Sequence, residues 1–163
     1  MNQKAFRPEQ ARLIADAFAK HRVEYLFIGK GGAILLGYPG ATQDVDLFPR
    51  KSEENGRRIV SALEELGFDL SAKDKAEIVA GKDFIQIVSG AFDVDLVFAP
   101  DGIESYDEAA TRAERLETFP VMSIADILAS KRAAGRKRDL VELDLLEAFR
   151  QVYESSKAGK TPG

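Results

Sequence analysis

The sequence predicts an α+β chain, with short apolar strands set among amphipathic helices. Three observations lead there. Val23 to Ile28 is a short apolar run closed by glycine, the pattern of a buried strand. Phe84 to Val88 and Phe92 to Phe98 flank Ser89-Gly90, a hairpin signal. Helical spacing of apolar residues marks Pro8 to Lys20, Ser52 to Leu66 and two segments near the C-terminal end.

In order, Pro8 opens a helix to Lys20, with Ala11, Ile14 and Phe18 on its apolar face beside Leu13 and Ala17. The Val23–Ile28 strand is broken by Gly29 to Gly32. A short helix is expected from Ala33 to Leu36, stopped by Gly37, and Tyr38-Pro39-Gly40 is a turn. Thr42 to Phe48 alternates as a strand: Asp44 and Asp46 face one way, Val45 and Leu47 the other. Ser52 is the N-cap of a helix ending near Leu66 and Gly67. Phe68 to Leu70 is read as a short strand. On the second hairpin strand Phe92, Val94, Leu96 and Phe98 share one face, and Asp93 and Asp95 the other. Residues 101 to 116 are polar and read as a loop with a helical piece. Phe119 to Met122 is read as a last strand. Ser123 and Asp126 resemble a capping box. Helices are expected over about 124–134 and 138–154, parted by Gly135. Residues 1–154 read as one domain and 155–163 as a flexible polar tail.

Composition narrows the chemistry. The chain of 163 residues has no cysteine, which excludes thiol chemistry, and a single histidine, His21, which excludes a histidine-rich zinc site. Any metal must be held by carboxylates, carbonyls and water, favouring magnesium or manganese. No segment suits a membrane span or a signal peptide, so a cytoplasmic protein is expected. The net charge of −4 does not advertise nucleic-acid binding, yet Lys131 to Arg138 places five cations in eight positions. Such a local patch can hold phosphates on an acidic protein.

Three carboxylates on strands form the central constellation: Asp44, Asp46 and Asp95, with Asp93 competing for the third place. A buried carboxylate is costly unless it is paired or binds metal. The bland alternative is an edge strand whose aspartates face water. Gly31 and Gly32 either make a tight strand-to-helix turn or bring backbone amides to an anion, and Lys30 beside them adds a charge or is solvated. Lys131 sits where the apolar face of Ile124, Ile127 and Leu128 should continue, so it snorkels or reaches into a site. Asp139, in line with Leu143 and Leu146, either pairs with Lys131 or Arg136 or caps its helix. Arg132, Arg136, Lys137 and Arg138 read singly as a solvated face and together as an RNA or triphosphate contact.

Taken together, Ile28-Gly29-Lys30-Gly31-Gly32-Ala33, Thr42-Gln43-Asp44-Val45-Asp46-Leu47, Val94-Asp95-Leu96, the run Ser123 to Lys131, Arg136 and Asp139-Leu140 resemble the nucleotidyltransferase superfamily with the DNA polymerase β-like fold. The closer resemblance is to nucleotidyltransferase toxins of abortive-infection and type IV toxin–antitoxin systems, and it covers about residues 23 to 150. The resemblance implies a small mixed β-sheet flanked by helices, with helices at its C-terminal end. It implies Mg2+ (or Mn2+) on Asp44, Asp46 and Asp95, with Asp95 also able to accept the proton of an attacking hydroxyl. It places Lys30, Gly31, Gly32, Thr42, Arg136 and Asp139 around an NTP, and Lys131 at the nucleotide or transition state. The implied activity is transfer of an NMP to a hydroxyl, on RNA such as a tRNA 3′ end, by a toxin with a cognate antitoxin. The alternatives are an aminoglycoside-type small molecule or a protein as acceptor, or a non-catalytic nucleotide- or partner-binding module. Two departures stand out: Lys30 widens the glycine turn, and Gly40 and Ala41 stand where a basic residue often precedes the Thr-x-Asp-x-Asp run.

Overall fold

A computed structural model describes residues 7–117 and 119–158. The first helix, α1 (Pro8–Lys20), has Pro8 in its first turn, where a missing N–H costs nothing, and buries Ala11, Ile14, Ala15, Ala17 and Phe18. β1 (Tyr25–Ile28) is buried at every position. It runs directly into α2 (Gly29–Leu35). That helix starts at Gly29 rather than at Ala33, so the glycines form its first turn instead of a loop. Beyond it lie β2 (Asp44–Pro49), α3 (Glu53–Glu65), α4 (Ala72–Ala80), β3 (Phe84–Ile87) and β4 (Asp93–Val97). The chain continues through α5 (Tyr106–Arg112), β5 (Glu114–Leu116), β6 (Phe119–Val121), α6 (Ile124–Ala134), a 3-10 turn (Lys137–Asp139) and α7 (Leu140–Ala158).

Among the described residues, six strands make one mixed sheet in the order β3-β4-β2-β1-β6-β5. β1 is antiparallel to β2 and parallel to β6; β2 and β4 are parallel; β3–β4 and β5–β6 are antiparallel hairpins. Alternation gives the sheet two unlike faces. Val45, Leu47, Ile85, Ile87, Val94 and Leu96 are buried on one, in a core with Ile14, Phe18, Ile59, Leu63 and Ile78 from α1, α3 and α4. Asp44, Asp46, Gln86 and Asp95 project from the other, where α2, α6 and α7 leave a cavity.

Three contacts hold the layers. Asn55 accepts from the Glu24 N–H at 2.9 Å and donates to the carbonyls of Glu24 (3.0 Å) and Arg50 (2.8 Å), tying the start of β1 to the end of β2. α3 and α4 cross at Gly56, where a Cβ would stand 2.7 Å from the Cα of Val79. Arg112 bridges α5 to α6 by donating to Asp126 at 2.8 Å.

Several expectations change. Phe68 to Leu70 forms no strand; Phe68 packs edge-on against Phe92 from a loop. α4 follows instead, started by a reciprocal Ser71–Asp74 capping box. Only Ile78 of α4 is fully buried, so its apolar periodicity is thin. β5 is a three-residue edge strand of polar composition inside the segment read as a loop. Ser123 caps α6, but the Asp126 carboxylate turns to Arg112 rather than completing a capping box. The last helix extends through Ala158, beyond the tail boundary expected at 155; residues 159–163 lie outside the described residues.

Candidate active site

The parallel pairing of β2 and β4 aligns Asp44 with Asp93 and Asp46 with Asp95. Aligned residues of neighbouring strands project to the same face, so the Asp46 and Asp95 carboxylates stand side by side. Asp95 is 8% exposed, and its Oδ1 is buried without a hydrogen-bond partner. Burial pushes the Asp46 carboxyl well above its ordinary range; the charge of Asp95 and then of Asp44 push it further, and Lys131 opposes them. Burial raises Asp95 as well, against a hydrogen bond with Asp46. Asp44 is raised by its own burial and by Asp93. Like charges held together in a poorly hydrated place favour a shared proton or a cation.

Gly29 presses on this pair. Its φ is 65°, and a Cβ there would collide with the Asp46 carboxylate. Glycine is therefore required twice over, by backbone conformation and by contact.

The carboxylates form the floor of a cavity of about 730 Å3. Gly29 and Lys30 line one rim, and Ile127, Ser130, Lys131, Arg136 and Arg138 line the wall made by α6 and the turn after it. Asp83, Phe84, Pro100 and Asp101 line the opposite rim. Lys131 continues the buried face of Ile124, Ile127 and Leu128, and its ammonium lies 3.5 Å from Asp139 Oδ1. Arg136 Nε donates to Asp139 Oδ2 at 2.9 Å. Asp139 thus pairs with both cations. Although burial desolvates its carboxyl, Lys131 and Arg136 hold it below the usual range.

Other expected residues sit differently. Gly31 and Gly32 are buried in the first turn of α2 and are not among the cavity's lining residues. Gly32 has a packing reason: a Cβ would stand 3.0 Å from the Phe27 carbonyl oxygen and 3.4 Å from Ile127 Cδ1. Thr42 is also outside the lining; its hydroxyl exchanges long hydrogen bonds with the Asp44 backbone at 3.3 and 3.4 Å. Asp93 does not line the cavity either. Lys30 does, and its ammonium lies 3.1 Å from Glu142 on α7. Sequence reasoning missed Glu142 because α7 carries several acids, and spacing does not distinguish this one.

Among the described residues, no three carboxylate or imidazole groups converge closely enough to make a ready cation site. The residues nevertheless fit a hard divalent cation: the donors are all carboxylate oxygens, two are paired, and Asp95 Oδ1 is orphaned.

No family model matches the chain, and no curated protein matches it in sequence. Solved structures do. The antibiotic-resistance factor ANT(2'')-Ia is 15% identical with a TM-score of 0.53, over 94% of this chain and 96% of that one. The chain shares the fold of that protein. A protein from Thermotoga maritima, proposed to be a nucleotidyltransferase, is 16% identical with a TM-score of 0.48, over 92% of this chain and 96% of that one. On this fold the Asp46–Asp95 pair and the α6 wall line the same cavity.

Proposed function

We propose that this chain is a nucleotidyltransferase that moves an NMP from an NTP to a hydroxyl acceptor. The observation that carries the reading is the Asp46–Asp95 pair at the cavity floor, opposite Lys131 and Arg136. Asp44, Asp46 and Asp95 would hold Mg2+ or Mn2+. When bound, such a cation offsets phosphate charge and that of the leaving pyrophosphate. Lys131 and Arg136 would hold the triphosphate, already aimed into the cavity by Asp139. Asp95 would take the proton of the attacking hydroxyl. As that oxygen bonds to the α-phosphorus, the bond to the bridging oxygen breaks and pyrophosphate leaves with the electron pair. Positioning and electrostatics supply most of the acceleration in such transfers.

For the acceptor, Arg138 at the cavity and the basic run around it support RNA, with a tRNA 3′ end the first choice. The chain would then act as a cytoplasmic toxin restrained by an antitoxin protein. Among the described residues, no helix is long and apolar enough to cross a membrane. A second reading, a cationic small-molecule acceptor, is favoured by Asp83 and Asp101 on the opposite rim.

The test is transfer of label from each α-labelled NTP, with Mg2+, to total RNA and to aminoglycosides. Asp44→Ala/Asp46→Ala is the control. Label on RNA supports the first acceptor, and label on the drug the second. No transfer to any acceptor, together with no metal-dependent NTP binding, rejects the enzyme.

A further inference from the structure

Among the described residues, Lys30 is the one lining cation on the α2 side of the cavity; the other lining cations belong to α6 and the turn after it. Its stem runs past Gly40, where a Cβ would stand 3.3 Å from Lys30 Cε. Its ammonium meets Glu142 Oε1 at 3.1 Å, and the Tyr38 hydroxyl donates to Glu142 Oε2 at 2.9 Å. Both carboxylate oxygens are therefore engaged, one by the cation and one by a buried tyrosine whose ring packs edge-on against Phe149 of α7. Although burial desolvates Glu142, Lys30 and Tyr38, with Lys131 nearby, keep its carboxyl below the usual range. A lysine stem left to itself samples many rotamers; here α7 fixes where it ends.

We infer that Glu142 is a positioning residue: with Tyr38 it holds Lys30 at the α2 rim as a further cationic arm for the polyphosphate of the substrate, beside Lys131 and Arg136. This rests on the reading of the cavity as an NTP site. Glu142 itself touches no substrate; it acts through Lys30. Because the arm binds phosphate in ground and transition states alike, its loss falls on KM rather than kcat.

The experiment is calorimetric binding of NTP, and separately of tripolyphosphate, in the presence of Mg2+. It compares wild type, Glu142→Gln, Lys30→Ala and the double variant, with thermal melting to confirm folding. Glu142→Gln keeps the acceptor for Tyr38 and loses the ion pair. We expect it to weaken binding about fivefold. Lys30→Ala should weaken it about tenfold, and Glu142→Gln should add nothing in the Lys30→Ala background. Where transfer is measurable, KM rises and kcat holds. Equal or tighter binding by Glu142→Gln, or additive effects in the double variant, overturns the inference alone. A wild type that binds neither NTP nor tripolyphosphate overturns the NTP reading and this inference with it.

Discussion

The two sides of the cavity are built from opposite electrostatic conditions. On the floor, Asp46 and Asp95 are aligned; Asp95 is buried with one oxygen orphaned, Asp46 is half-buried, and the charge of Asp95 pushes the Asp46 carboxyl up. On the walls, Lys131 and Arg136 share Asp139, and Lys30 has Glu142. The walls are therefore preorganised as they stand, while the floor is under strain that a bound cation would relieve. Burial and repulsion raise the floor carboxyls, whereas cationic partners lower Asp139 and Glu142 despite their burial. One chain thus moves its acids in both directions within a single cavity, a pattern typical of functional sites.

The strongest way to break the contrast is to remove the floor. Asp46→Ala should lower NMP transfer by about a hundred- to a thousandfold, read as initial rates at saturating NTP.

Stability against pH separates the two sides next. The native floor holds a proton more tightly than the unfolded chain does, so it carries that proton above the ordinary carboxylate value of about 4, where the unfolded chain has released it. Metal-free stability from this pair is therefore greatest at low pH and falls as pH rises from about 4 upward. The lowered Asp139 and Glu142 act oppositely: their contribution is present above the ordinary value and is lost as pH falls through their depressed native values. Melting curves from pH 5 to 8 should show wild type losing about 1 kcal/mol or more toward pH 8. Asp46→Asn should flatten that slope.

Much of the floor was legible in the sequence and much of the wall was not. Alternation placed Asp44 and Asp46 on one face of a strand, and the Ser89-Gly90 signal placed Asp95 on a hairpin. Choosing Asp95 over Asp93 needed the β2–β4 register, which no single strand encodes. Lys131 was visible because it interrupts an apolar face. Gly29 was not, because its requirement arises from φ and from contact with Asp46, a residue distant along the chain. Gly31 and Gly32, the glycine pair that stands out in the sequence, are buried in the helix turn. Glu142 was hidden among the acids of α7, and α4 by its single buried isoleucine.

Two smaller perturbations sharpen the comparison. Gly29→Ala forces an L-residue to a left-handed φ against Asp46; it should cost about 2 kcal/mol in urea melts and weaken transfer. Ser71→Ala, at the cap of α4 away from the cavity, should cost about 1 kcal/mol and leave transfer unchanged.

The most direct measurement of the floor's role is the melting temperature at pH 8 with and without Mg2+ and NTP, for wild type and Asp46→Asn/Asp95→Asn. A cation-requiring floor predicts that the ligands raise the wild-type melting temperature by several degrees and leave the variant's unchanged. Equal stabilisation of both proteins, or of neither, would contradict it.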